Sequence, residues 1–164
     1  MLALIELSLN IEFTNWIFAD IRNSFTRLPQ IDVRYLYDSN TKTIVLLVRN
    51  NTDKLYRLCP FSGQDYYEPG SASFVVLQYK DSNGKVLFRR SFFISEQLPI
   101  NESTKGKFLF KYGENKYVCD LEKLYEGNIN DIYEVDVHVQ IEAVSLKDKK
   151  DVYKKVIDKT YQFK

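Results

Sequence analysis

Few residues in this chain have the types and spacing that catalysis or metal binding requires. His138 is the single histidine, so any Ser/His/Asp or Cys/His arrangement would depend on it alone. The chain alternates around it: Val137 and Val139 point one way, and His138 shares the opposite face with Asp136 and Gln140. This pattern predicts an ordinary surface histidine. One histidine and two cysteines are also too few for a structural zinc site, so we expect neither a metal nor a cofactor.

The two cysteines, Cys59 and Cys119, have no basic neighbours in sequence that would lower a thiol pKa. We therefore do not expect either to be a nucleophile. They are either two buried thiols or a disulfide pair, and the sequence leaves both alternatives open because pairing depends on the distance between the two Cα atoms.

Acidic residues are the remaining route to hydrolysis, since two carboxylates can cleave a glycoside without histidine. Asp65, Glu68 and Asp120 are the candidates, but a chain with 22 acidic residues contains such pairs by chance. We interpret them as loop residues that face water or bond their own backbone. Phosphate-binding glycine motifs are missing from the sequence as well. The prediction is a protein that is not an enzyme.

A long loop between Cys59 and Gly70 holds the residues best suited to binding. Loops on a rigid β-scaffold often carry contacts, and exposed tyrosines can anchor a protein partner or stack on a sugar ring. The candidate binding residues in this loop are Phe61, Asp65, Tyr66, Tyr67 and Glu68.

Composition excludes several classes of protein. The chain has 164 residues, of which 45% are hydrophobic and 15% aromatic, which suits one folded domain spanning residues 1–164. A net charge of +1 provides no field that would gather nucleic acid. No stretch approaches the roughly 18 apolar residues of a membrane-spanning helix, and the first residues lack the basic segment of a signal peptide. The sequence leaves the compartment open.

Hydrophobic alternation predicts the elements that would position these residues. Apolar residues at every second position predict a long strand from Ala3 to Phe13, an edge that would allow a homodimer. Residues 15–28 fit either a short helical stretch or an interrupted strand. Alternation returns from Ile31 to Tyr37, and a central strand from Thr43 to Arg49 is followed by a predicted hairpin into Leu55–Leu58.

The second half of the chain continues this pattern. Asn83-Gly84 between two apolar runs predicts a tight hairpin, and a strand is expected over residues 107–112. Residues 120–125 suggest one helical turn, and strands over 133–143 and 152–163 should form a closing hairpin. About nine strands separated by short turns predict an all-β fold, an immunoglobulin-like two-sheet antiparallel sandwich with at most one or two short helical turns.

Between Thr43 and Ala143 the order of features resembles a known family. The matching segments are VRNNTDK, CPFSG, FVVLQYKDSNGKVLFRR, CDLEKLY and IYEVDVHVQIEAV. In this order they are similar to the immunoglobulin-like, non-catalytic domain that precedes the protease domain in deuterolysin-type metallopeptidases. The resemblance leaves out residues 1–28, and the family's H-E-x-x-H zinc motif has no counterpart. It implies a non-catalytic sandwich and slightly favours an extracytoplasmic location.

Together these observations predict a protein-interaction or structural module that binds a protein partner through a loop or a strand edge. Two alternatives remain at this stage: a carbohydrate- or ligand-binding domain that uses Tyr66 and Tyr67, and an inhibitor of a protease or another enzyme.

Overall fold

A computed structural model describes residues 29–58, 72–98 and 106–163. The chain divides into two compact units, residues 1–30 and 31–164. All the strands described below belong to the second unit. The predicted strand from Ala3 to Phe13 and the loop from Cys59 to Gly70 lie outside the described residues.

The smaller sheet has three antiparallel strands in the order β1-β2-β7. These are β1 (Ile31–Asp38), β2 (Thr43–Asn50) and β7 (Glu114–Asp120). The central position predicted for β2 is confirmed. Ile44, Leu46 and Val48 of β2 are buried, while the residues between them keep partial contact with water because they point out of the sheet.

The larger sheet has six strands: β3 (Tyr56–Arg57), β4 (Phe74–Lys80), β5 (Val86–Phe93), β6 (Phe108–Leu109), β8 (Glu134–Ser145) and β9 (Val152–Gln162). Five of them lie in the order β5-β4-β8-β3-β6, and β9 also pairs with β8. All pairings in this sheet are antiparallel. The described part of the chain is thus mostly β-strand, and the all-β prediction is confirmed. Two short 3-10 turns, Ile94–Gln97 and Ile129–Asp131, lie between strands.

One hydrophobic core contains the inward side chains of both sheets. Leu46 and Tyr117 come from the smaller sheet, and Leu77, Tyr79 and Val139 from the larger; all are fully buried. Buried tyrosines need partners for their hydroxyl groups. Tyr79 accordingly donates to the Leu121 carbonyl at 2.8 Å, and Tyr117 donates to the Gly106 carbonyl at 2.8 Å.

The Asn83-Gly84 hairpin forms as predicted. Gly84 has φ +78°, a conformation that glycine adopts without strain. The Asp81 carboxylate accepts the backbone N–H groups of Asn83 and Lys85 at 2.8 and 2.9 Å. This turn joins β4 to β5 and so fixes the register of the outer part of the larger sheet.

Two sequence predictions are wrong in detail, and one strand was not predicted. The chain after β2 does not fold back as a hairpin, because β3 crosses to the larger sheet and pairs with β6 and β8. The strand expected over 107–112 is only β6, since residues 110–113 form a turn in which Gly113 N–H donates to the Phe110 carbonyl at 3.0 Å. The sequence reading also missed β7, whose pairing with β2 completes the smaller sheet.

Candidate functional site

The loop residues that the sequence favoured for binding lie outside the described residues. This applies to Phe61, Asp65, Tyr66, Tyr67 and Glu68, and their role stays a prediction.

Cys119 is buried in the core and has no disulfide partner among the described residues. Burial raises the pKa of its thiol to about 12, because an apolar environment disfavours the thiolate. This keeps Cys119 in the unreactive thiol form. Cys59 lies outside the described residues, so a Cys59–Cys119 pair stays a prediction.

His138 lies on the outer, solvent-facing side of the larger sheet, the face predicted for it. Its Nδ1 lies 2.6 Å from the Asp158 carboxylate of the neighbouring strand β9, and its ring lies 5.8 Å from the Phe74 ring, centroid to centroid. Among the described residues, no group of three histidine, cysteine or carboxylate side chains could hold a metal ion. Within that part of the chain no helix is long and apolar enough to span a bilayer.

The first surface of interest is a cluster of turns at one end of the β-sheets, which we call the turn surface. It is built from the turns at residues 51–55, 110–113 and 146–151. Three large apolar side chains project from it into solvent: Phe110, Tyr112 and Leu146 are 53%, 69% and 50% exposed. Exposed aromatic side chains grouped on connected turns are typical of interaction sites.

Tyr112 combines its exposure with an unfavourable backbone conformation. Its φ of +52° places it in the left-handed region, which costs a side chain with a Cβ about 1–2 kcal/mol. It occupies the third position of the turn closed by Phe110 and Gly113, where glycine or asparagine is the usual choice when φ is positive. Its own N–H donates to the Thr52 carbonyl at 3.1 Å, which holds the strained residue in place.

Asn50 joins the turns that form this surface. Its amide nitrogen donates to the carbonyls of Lys54 and Phe110 at 2.7 and 2.9 Å, and its side-chain oxygen accepts from Thr52 N–H and Oγ1 at 2.9 and 2.8 Å. Asn50 is completely buried. Because its side chain satisfies the backbone of two turns at once, it fixes their relative position.

The turn at residues 146–151 is attached to the turn at residues 51–55. Leu146 N–H donates to the Leu55 carbonyl at 3.0 Å. Asp151 accepts from Lys54 Nζ at 2.5 Å and from the Tyr56 hydroxyl at 3.2 Å. The hydrogen bond to Asp151 raises the pKa of Lys54, so this lysine stays charged. The turn surface is therefore a rigid platform held by backbone and side-chain bonds.

The second surface is a depression on the outer side of the larger sheet, which we call the concave face. Its volume is about 660 Å³ and its lining comes from β4, β5, β8 and β9. Val76, a short side chain, is one of the lining residues. The longer side chains of Phe74 and Gln78 flank Val76 along β4, and His138 lies opposite it on β8. This difference in side-chain length creates the depression.

The polar groups of the concave face fall into two classes. Asp136 is held by Lys80 and by the Thr160 hydroxyl, which donates to it at 2.7 Å. Burial tends to raise the pKa of Asp136, but these hydrogen bonds outweigh it and lower the pKa. Gln78 and Arg89 form a cross-strand pair, and neither side chain makes a hydrogen bond or ion pair with other described residues.

Sequence reasoning did not find either surface. A turn with a tyrosine at positive φ carries no recognisable turn residue at that position, although Gly113 next to it was a signal for a break. The outward set Asp136, His138 and Gln140 was identified, but its neighbours on β4, β5 and β9 depend on strand register, which the sequence does not reveal.

Comparisons with known proteins give no family. No family model matches the chain, and no curated protein matches it. The solved structures that resemble it at a distance include two that cover 80% of this chain. One is the structural genomics target SoR45, at TM-score 0.39 and 10% identity over 80% of this chain and 83% of that one. The other is a Bordetella pertussis protein described as ApaA, at TM-score 0.34 and 11% identity over 80% of this chain and 89% of that one. Neither likeness is strong enough to support a conclusion about function.

Proposed function

We propose that this chain is a non-catalytic protein-interaction module whose partner binds the turn surface. The observation that carries the proposal is Tyr112, a 69% exposed aromatic residue held at φ +52°. Glycine at this position would remove the strain. A ring that contacts water makes only a small contribution to the fold, so its presence at a strained position is better explained by contact with another molecule.

The turn surface also has the build of a binding site. Aromatic side chains carry much of the energy of protein interfaces, because they bury a large area and lose little conformational freedom. Phe110 and Leu146 add two more exposed apolar side chains to the same surface. The hydrogen bonds of Asn50 fix the turns in advance, which lowers the entropy that binding costs.

Charge indicates the kind of partner. The three turns contain five lysines and three aspartates, namely Lys54, Lys111, Lys147, Lys149, Lys150, Asp53, Asp148 and Asp151. This excess of positive charge favours a partner with an acidic rim around an apolar pocket, since complementary charge speeds association and excludes wrong partners. We therefore propose an acidic protein surface as the partner.

A strand edge is a weaker candidate among the described strands. The edge strand β9 carries Lys154, Lys155 and Lys159, and lysines on an edge oppose pairing with another chain. Lys155 Nζ also donates to the Val33 carbonyl of β1 at 2.8 Å. The homodimer through Ala3–Phe13 expected from the sequence concerns residues outside the described part, and it stays a prediction.

The experiment compares three versions of the full chain as bait for proteins from the source cells. Tyr112→Gly removes the ring and relieves the strain. Lys42→Gly is the matched control, because Lys42 also has positive φ (+50°) but lies at the other end of β2, about 23 Å away along a strand of this length. Bound proteins are quantified by mass spectrometry.

We expect the parent and Lys42→Gly to retain the same acidic protein in equal amounts. With Tyr112→Gly the retained amount should fall at least about tenfold, as for an aromatic hot spot. Urea unfolding must show that Tyr112→Gly is at least as stable as Tyr112→Ala, because only the alanine keeps the left-handed strain. Equal retention by the parent and Tyr112→Gly would defeat the proposal.

We also propose that the two sheets form an immunoglobulin-like sandwich related to the pre-protease domain of deuterolysin-type metallopeptidases. The order of sequence features from Thr43 to Ala143 supports this proposal. A crystal structure with an immunoglobulin-type strand order would support it further, and a different order would contradict it.

A further inference from the structure

We infer that the concave face binds an acidic saccharide, a sugar unit that bears a carboxylate. This site lies on the outer side of the larger sheet and is independent of the turn surface. Three features support it: the shape of the depression, the two rings at one side of it, and the polar groups at the other side, which have no partner within the described part of the chain.

The size of the depression suits one or two sugar rings. Its volume of about 660 Å³ lies in the ordinary range of small-molecule sites, about 300–1,000 Å³. Val76 provides an apolar floor. Phe74 and His138 form one wall, with ring centroids 5.8 Å apart and planes tilted by 35°. Flat rings of this kind contact the C–H face of a sugar.

Hydroxyl groups of a sugar would find acceptors that are already oriented. Asp158 is held by His138 at 2.6 Å, and Asp136 by Lys80 and Thr160. An ionised carboxylate has about four lone-pair sites, so both aspartates can accept further hydrogen bonds. Their existing partners fix their direction, which a pre-organised polar site requires.

The unpaired groups define the charge of the ligand. Arg89 lies beside Gln78 on the neighbouring strand, and neither side chain has a hydrogen-bond partner or ion pair among the described residues. A guanidinium offers a planar fork that matches the two oxygens of a carboxylate. Of the two carboxylates of the face, Asp136 is already paired with Lys80, and Asp158 is hydrogen-bonded to the His138 ring. Arg89 and Lys159 bring positive charge to the lining, which favours an acidic sugar over a neutral one.

Titration calorimetry on the full chain tests this inference, with a galacturonic acid trisaccharide as probe and a galactose trisaccharide as its neutral counterpart. Arg89→Gln removes the fork. Arg90→Gln is the matched control, since Arg90 is the next residue of β5 and pairs instead with Glu126 at 3.3 Å. Val76→Phe fills the floor of the depression and tests the location independently.

We expect the acidic trisaccharide to bind the parent and Arg90→Gln equally. It should bind Arg89→Gln at least about tenfold more weakly, as for a lost charged hydrogen bond, and it should not bind Val76→Phe. The neutral trisaccharide should bind the parent at least about tenfold more weakly, for the same reason. Circular dichroism confirms that each variant is folded. No binding of the acidic trisaccharide to the parent, equal binding of the two sugars, or full binding by Arg89→Gln would each overturn the inference.

Discussion

Replacement of Asn50 by alanine should be among the most damaging single changes in this protein. The side chain makes four hydrogen bonds, two donated to the Lys54 and Phe110 carbonyls and two accepted from Thr52. Each contributes about 1 kcal/mol net, so the loss is about 4 kcal/mol. Small proteins are stable by only about 5–15 kcal/mol, and the loss is therefore a large share of the total.

Urea unfolding followed by circular dichroism measures this effect. With a dependence of about 2 kcal/mol per molar urea, typical for small domains, the midpoint should fall by about 2 M. Asn40→Ala is the matched control: the Asn40 side chain is exposed on the turn between β1 and β2, and surface changes are usually within about 0.5 kcal/mol. A midpoint shift for Asn50→Ala no larger than that of the control would refute the reasoning that this amide holds the turns together.

Three further changes test other features. Tyr37 has a buried hydroxyl without a hydrogen-bond partner among the described residues, so Tyr37→Phe should raise the free energy of unfolding by about 1 kcal/mol. Tyr35→Phe should lower it, because the Tyr35 hydroxyl accepts from Tyr161 at 2.8 Å. Urea melts showing the reverse order would contradict this. Burial raises the pKa of Glu142, so the folded state holds its proton more tightly than the unfolded chain, and the stability that protonated Glu142 provides is lost as pH rises through the folded pKa. Glu142→Gln should then leave the stability unchanged near pH 3 and raise it near pH 8; both pH values lie about one or more units from the usual glutamate pKa of about 4.3. A change in melting temperature that does not depend on pH would contradict this prediction. The buried Cys119 thiol should react with Ellman's reagent only in denaturant, and rapid labelling of a folded Cys59→Ser variant would show that the thiol is accessible.

Local sequence signals predicted the parts of the fold that local chemistry determines. Asn83-Gly84 supplies the backbone conformation that a β-hairpin turn needs, and the hairpin forms at that position. The alternation over 133–143 identified β8 together with its outward residues, His138 among them.

The remaining features depend on contacts between distant residues. Asn50 ends β2 and directs the chain into the other sheet through bonds to Lys54 and Phe110, and the second of these lies 60 positions away in sequence. The concave face depends on the register of four strands, which brings Arg89 beside Gln78. Tyr112 has a side chain that ordinarily avoids positive φ, so no propensity rule could have placed it there.

We propose above all that a protein partner contacts the turn surface at Tyr112, and site-specific photo-crosslinking would detect this contact directly. Benzoylphenylalanine is placed at position 112, which keeps an aromatic ring there, and in a second variant at Leu36, a 56% exposed residue of β1 in the smaller sheet. We expect a covalent adduct with one acidic protein of the source cells from position 112 and none from position 36. No adduct from position 112, or the same adduct from both positions, would contradict it.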